Sequence, residues 1–324
     1  MKIWAMLGGL LAATVVVACA VGQEPVAWSE VVAALLGRPV SDDTALIVLA
    51  LRLPRVALAG LVGAALSLAG VALQGLFHNP LADPHLLGIS AGGALGAAAA
   101  LVLGPAAGAV LGPAGWAFVG CAVALLLVWR LGQVGGVMPL AGLLLAGVAV
   151  GLTLSAGLSA VLLVARSQAG DVVLWLMGHL AGARWSEVAV VAGCTAVGGV
   201  VLLLKAADLN AFLLGEDAAR SLGVAVERSK GLLLAATAVL VAGAVAFAGL
   251  IGFVGLIVPH AVRFLVGADH RRLLPAAALA GASTLILADL AARSVLPGEL
   301  PVGVLTGAVG GPFFLVLLRR SLRA

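Results

Sequence analysis

Val56-Ala-Leu-Ala-Gly-Leu-Val-Gly-Ala-Ala-Leu-Ser-Leu-Ala-Gly-Val-Ala-Leu-Gln-Gly-Leu-Phe77 contains no Asp, Glu, Lys or Arg. As a helix rising about 1.5 Å per residue, a run of this length crosses a hydrocarbon core of about 30 Å. Its small residues suit lipid, where helices associate by close van der Waals contact. Similar charge-free runs extend from Ile3 to Gln23, Leu86 to Trp129, Leu131 to Ala165, Val188 to Leu204, Gly231 to Val262, Leu273 to Ala288 and Leu300 to Leu318. The whole chain of 324 residues is 63% hydrophobic and 10% charged, with 44 glycines. A soluble domain carries about 25% charged residues, so lipid is the solvent to reason with.

Two runs divide. Leu86 to Trp129 is broken by Gly104-Pro105 and Gly112-Pro113, and Gly231 to Val262 by the glycine-rich stretch Gly249 to Gly255. Leu131 to Ala165 reads as one long helix from about Met138 to Arg166, followed by a short surface helix over Asp171 to His179. The expectation is an all-α, polytopic membrane protein of ten transmembrane helices forming one domain over residues 1–324. Ten spans put both termini on one side. That side would hold Lys2, Arg130, Lys205, Arg220, Arg228, Lys230, Arg263, Arg271, Arg272, Arg319, Arg320 and Arg323, twelve of the eighteen basic residues. The positive-inside rule makes it cytoplasmic, leaving Arg38, Arg52, Arg55, Arg166, Arg184 and Arg293 outside.

The net charge of +4 is spread singly between apolar runs, without the basic stripe of a nucleic-acid binder. Cys19, Cys121 and Cys194 show no metal-ligand spacing and read as buried small residues. The first run exceeds the roughly 7 to 15 residues of a signal-peptide core, so it reads as a span although Val16-Val-Ala-Cys19 fits a lipoprotein box. Leu73 to Pro80 and Phe253 to Pro259 echo each other, a faint internal repeat of the kind transporters use.

None of the three lysines, Lys2, Lys205 and Lys230, follows a glycine, so a phosphate-cradling P-loop is excluded. ATP and Mg, if they drive this protein, are bound by another subunit. Gly88-Ile-Ser90-Ala-Gly92 fits a serine-nucleophile pattern with His260 in another apolar run, an intramembrane protease alternative. Small residues opening a membrane helix explain it equally. An ion-coupled secondary transporter needs ionisable groups at mid-membrane, and the runs contain no Asp, Glu, Lys or Arg. Asp289, near a helix end, is spaced to pair with Arg293. No metal site and no resident cofactor is expected.

Residues 208–228 read as a cytoplasmic segment in which Gly215 and Gly223 bracket a short helix. Leu214, Glu216, Ala218 and Arg220 lie on it, with Glu216 and Arg220 at i, i+4. Asn79, Pro80 and Leu81 form a proline-restricted turn at the cytoplasmic mouth of the second and third spans. Arg52 and Arg55 flank Pro54 just before the second span, and Arg293 ends the ninth.

Arg52-Leu-Pro-Arg55, Asn79-Pro-Leu-Ala-Asp-Pro84 and Leu87-Gly88 resemble the signature of permeases of the cobalamin, iron-siderophore and haem ABC importer family. Gly215-Glu216 through Leu222-Gly-Val224, Gly252 to His260, Asp269-His-Arg271, Glu299 to Gly303 and Gly310 to Phe313 resemble the same family, which covers about Arg52 to Arg320. The resemblance implies a homodimer, two cytoplasmic ATP-binding subunits beneath it and a periplasmic or surface substrate-binding protein above. It implies docking of that protein on Arg52, Arg55 and Arg293, ATPase coupling through Leu214 to Gly223, and a cytoplasmic gate at Asn79, Pro80 and Leu81. His78, beside the gate turn, is a candidate haem contact or an interfacial side chain.

Overall fold

The computed structural model describes residues 2–22, 24–103, 105–165, 169–295 and 299–321. Arg166 and Arg323, counted above for topology, and Gln23 and Gly104, named as run or turn ends, lie outside the described residues. Among those described, helices dominate and the single β-bridge joins Val134 to Val137.

Seven helices are long and apolar enough to cross a membrane: α1 (Lys2–Ala20), α2 (Asp42–Leu76), α4 (Pro105–Gly132, a span from Leu111), α5 (Leu140–Val164), α6 (Trp185–Leu204), α7 (Val226–Ala248) and α9 (His270–Val295). Two apolar helices are shorter, α3 (Ile89–Leu103) and α8 (Val254–Val266), and α10 (Val302–Ser321) has 20 residues. Among the described residues the ten apolar runs thus form ten helices, of which α3 and α8 fall below full span length.

The shortness of α3 and α8 has a physical cause. After α2 ends, the chain turns at Asn79 and climbs back, so that Pro84 packs on Gly255 beside the Leu66 carbonyl, well inside α2. The single-turn helix Pro84–Leu87 and Gly88 (φ +68°) then launch α3 from within the protein. The α8 helix starts at the same level after Phe253, whose φ of +67° is rare for a side-chain-bearing residue.

Helix α2 packs against α6, α7, α8 and α9 at the centre. Close approach is made possible by paired glycines. A Cβ on Gly63 would overlap the Gly281 carbonyl and one on Gly281 the Gly63 carbonyl, drawing α2 onto α9. Gly92 and Gly120 do the same for α3 and α4.

One sequence expectation needs correcting. Arg52 and Arg55 do not precede the second span. The helix begins at Asp42, capped by the Ser41 hydroxyl, and continues through a π-helical stretch Leu46–Arg52. Pro54 falls where the wider π turn passes back into α-helix, which spares the chain the break that a proline ordinarily signals. The expected helices at Asp171 and between Gly215 and Gly223 form as Ala169–Leu176 and Glu216–Ser221. Cys19 and Cys121 are buried and Cys194 is half-buried.

Candidate functional site

Two polar clusters lie at opposite ends of the helices. At the first, the end of α1 meets the start of α2 and the end of α9. A helix C-terminus leaves carbonyls without intrahelical donors and carries partial negative charge. Arg52 answers this by donating from Nη1 to the Cys19 carbonyl at 2.7 Å and the Ala20 carbonyl at 3.1 Å, and from Nη2 to the Glu24 carbonyl. Arg293 donates to the Ala18 carbonyl. Two of the three sequence-predicted arginines therefore cap α1.

Arg55 is held by two carboxylates. Its Nε and Nη2 donate to Asp289, with Nη2 to Oδ1 at 2.8 Å, and its Nη1 donates to both oxygens of Glu299 at 2.9 and 3.0 Å. Asp289 is 1% exposed, whereas the Glu299 side chain is 43% exposed. Asp289 pairs more closely with Arg55 than with Arg293, whose Nε lies 3.8 Å away, because the guanidinium of Arg55 meets it edge-on with two donors. Arg52, Arg55, Arg293 and the exposed Arg184 line one cavity of about 530 Å³ with Glu24 and Glu299. A neighbouring cavity of about 370 Å³ is lined by Arg55, Trp175, His179 and Glu299. Burial, with the nearby Arg55 charge, holds the His179 pKa below its usual value.

At the opposite end, Gly215 (φ +98°) and Gly223 (φ +85°) bound the helix Glu216–Ser221. Only a residue without Cβ adopts these angles cheaply. Leu214 and Leu222 are 69% and 65% exposed, so this segment presents apolar side chains beside charged ones. Glu216 and Arg220 do not pair with each other. Arg220 pairs with Asp217 at 3.0 Å and Glu216 with the buried Lys230 at 2.8 Å. Ala219 is the buried residue of this helix, and Ala218 is half-buried.

Asn79 and Pro80 are exposed, and the Asn79 side chain accepts from the Leu81 amide at 2.9 Å, a local turn bond. His78 bonds the Phe212 carbonyl, tying the turn to the segment preceding Leu214. Gln74, His78, Pro80, Leu213 and Arg263 line a cavity of about 320 Å³. Asn210 donates to Asp269 at 2.8 Å and accepts from the His270 amide at 2.9 Å, fixing the start of α9. The Asn210 bond, the Arg271 amide and two arginine charges hold the Asp269 pKa below the usual range.

Sequence reasoning named Lys230 and the Asp269-His270 motif but missed the contacts they make and the part of Asn210. The spacing Glu227 to Lys230 was a readable i, i+3 signal for the first. Nothing local marks Asn210. Ser90 Oγ has no partner, and the His260 ring stands edge-on to Phe264, so no serine–histidine pair forms among the described residues. Nor does any group of three His, Cys, Asp or Glu that could hold a metal occur among them.

A set of apolar helices crossed at paired glycines, with ion-paired clusters at their two ends, has the architecture of an integral membrane protein. The chain belongs to the FecCD transport family, whose model matches residues 10–320. It is 41% identical to the cobalamin import system permease protein BtuC of Halobacterium salinarum over 88% of this chain and 77% of that one. It is 42% identical to the hemin transport system permease protein HmuU of Yersinia pestis over 84% and 82% of the two chains. With the Fe(3+) dicitrate transport system permease protein FecC of Escherichia coli it shares 37% identity over 91% and 90%. A solved structure of a metal-chelate type ABC transporter in an inward-facing conformation superposes with a TM-score of 0.87, at 32% identity over 98% of this chain and 99% of that one.

Proposed function

We propose that this chain is the membrane-spanning permease of an ATP-driven importer that carries a bulky metal chelate, an iron-siderophore, haem or cobalamin, across the cytoplasmic membrane. The observation that carries this reading is the pairing of FecCD membership with a chain lacking a P-loop. The energy source then lies in a partner, and the exposed segment Leu213 to Val224 supplies a surface for it. The permease performs no chemistry on its cargo. It works as a homodimer with two cytoplasmic ATP-binding subunits, which hold ATP and Mg, and an external substrate-binding protein. All ten helices cross the bilayer, with α3 and α8 completed by the re-entrant segments that precede them, and both termini are cytoplasmic.

Residues take their roles from this arrangement. Leu214, Gly215, Glu216, Ala218, Arg220 and Gly223 form the ATPase-coupling element within residues 208–228. Asn79, Pro80 and Leu81 form the cytoplasmic gate. Arg52, Arg55 and Arg293 form the docking face for acidic residues of the binding protein, with Arg55 the most available because one of its carboxylates, Glu299, is exposed. Relatives are named for cobalamin, hemin and ferric dicitrate, which supports the chelate class and leaves its member to experiment. The test is to purify the partner binding protein, identify its ligand by mass spectrometry, and measure ATP hydrolysis by the reconstituted complex with and without it. Ligand-loaded protein should stimulate hydrolysis, and a ligand that is no metal chelate would overturn the cargo class.

A further inference from the structure

Lys230 is fully buried, with no exposed side-chain surface. A buried ammonium must find acceptors for its three donors or suffer the loss of its hydration. Lys230 finds three from three separate parts of the chain. Nζ lies 2.7 Å from the Met138 carbonyl, 2.8 Å from Glu216 Oε2 and 3.2 Å from Glu227 Oε1. The second oxygen of Glu227 accepts from the Met138 amide at 2.8 Å, so both backbone groups of Met138 are gripped from α7.

Met138 closes a tight structure. Val134 and Val137 exchange backbone hydrogen bonds at 2.9 and 3.1 Å across Gly135 and Gly136, both at positive φ. This two-residue turn is stiff, since both central residues need a left-handed conformation that glycine supplies. Pro139 follows, and α5 starts at Leu140. The Val134–Met138 hairpin is therefore one small rigid unit attached directly to α5. Glu216, on the other side of the ammonium, is the first residue of the exposed helix Glu216–Ser221.

We propose that Lys230 is a positioning residue that joins the helix Glu216–Ser221 to the Val134–Met138 hairpin, so that displacing one displaces the other. Withdrawal of Glu216 leaves one Nζ donor without its acceptor. The flexible lysine stem then follows the departing carboxylate and slackens its hold on the Met138 carbonyl, while Glu227 keeps the positive charge paired. The role as a relay from an ATPase rests on the proposed function, but the mechanical link does not.

Hydrogen exchange of the full chain in lipid nanodiscs tests the link without any partner. Glu216→Gln keeps Lys230 paired with Glu227 and so retains the fold, while it replaces the charge-assisted bond from Nζ with a weaker neutral one. It should speed exchange at the Val134, Val137 and Met138 amides about tenfold or more, although Glu216 touches none of them. Asp217→Asn, on the same helix but paired only with Arg220, should leave those amides unchanged. Lys230→Met should loosen both segments together. Faster exchange in Glu216→Gln confined to residues 214–222 would overturn the proposal. So would a rise spread through α7, which would make the cluster a stability clamp. Failure of an ATPase to dock would leave these exchange rates as they are, so the two ideas fail separately.

Discussion

Helices α2 and α5 are about equally apolar, yet 83% of the most apolar window of α2 is buried in the protein against 11% of that of α5. Hydropathy reports that a helix belongs in a membrane and is silent on whether it faces lipid, its own chain or a partner. What separates the two is where the glycines fall. In α2, Gly63 and Gly70, two turns apart on one face, admit the backbones of α9 and α8, and α6 and α7 also pack against it, so neighbours surround it. In α5, Gly147 and Gly151 meet Leu86 to Gly88 on one face, leaving Leu145 and Leu152 72% and 68% exposed on the rest. That uncovered face is available to lipid or to a second copy of the chain.

Substitution at the crossings should produce the largest difference. Gly63→Leu drives a side chain into the Gly281 backbone and should cost more than about 4 kcal/mol, seen as loss of monodisperse protein in detergent. Gly193→Leu on α6, where nothing lies within 4 Å of a new Cβ, and Leu152→Ala on α5 should leave the yield near wild type. Equal behaviour of Gly63→Leu and Gly193→Leu would remove the distinction between the two kinds of helix.

The ion pairs at the α2–α9 end extend the comparison to charge. Asp289→Ala leaves Arg55 to Glu299 alone and Arg293 without its carboxylate in a buried site, and should lower stability by about 3 kcal/mol in thermal unfolding. Glu299→Gln, at an exposed position, should change it by less than about 1 kcal/mol.

Much of this was legible from residues 56–77 and their counterparts, because a charge-free run of that length has few other uses. The glycine-bracketed helix at Glu216 was legible too, since a Gly at each end signals a short helix. The re-entrant climb from Asn79 to Gly88 was not. Its run merges with α3 in hydropathy, and only the tertiary contact of Pro84 with Gly255 reveals its depth. The capping roles of Arg52 and Arg293 were not legible because the α1 carbonyls they cap lie 32 or more positions away in sequence. Long-range capping leaves no local pattern.

At the exposed segment, Ala218→Trp should keep the permease folded while cutting ATP-driven uptake at least tenfold, about 1.4 kcal/mol of coupling. Unchanged uptake and ATP stimulation would remove the segment from the coupling path. A smaller effect is expected at the outer arginines. Glu299→Gln frees one side of Arg55 and should tighten capture of the binding protein severalfold at low salt, a gain that fades as salt screens the pair. No change at low salt would leave the arginines as caps and anchors alone.

The smallest effect belongs to Asp208. Burial would raise its pKa, but bonds from Lys205 and Ser229 and the lysine charge outweigh this and lower it. A carboxylate with a depressed folded pKa stabilises the protein above its unfolded value, about 3.9, and loses that contribution as pH falls through the folded one. The melting-temperature gap between wild type and Asp208→Asn should be small at pH 7 and shrink further as pH falls below the unfolded value. A gap that widens on acidification would contradict the assignment.

We infer that ATP bound by another subunit drives this chain. Proteoliposomes containing the permease and its ATP-binding subunits, with loaded binding protein outside and ATP within, measure this directly as accumulation of the chelate. Uptake should require ATP and the partner subunits and persist when a protonophore collapses the proton gradient. Accumulation by the permease alone, driven by a proton gradient and indifferent to ATP, would contradict the account.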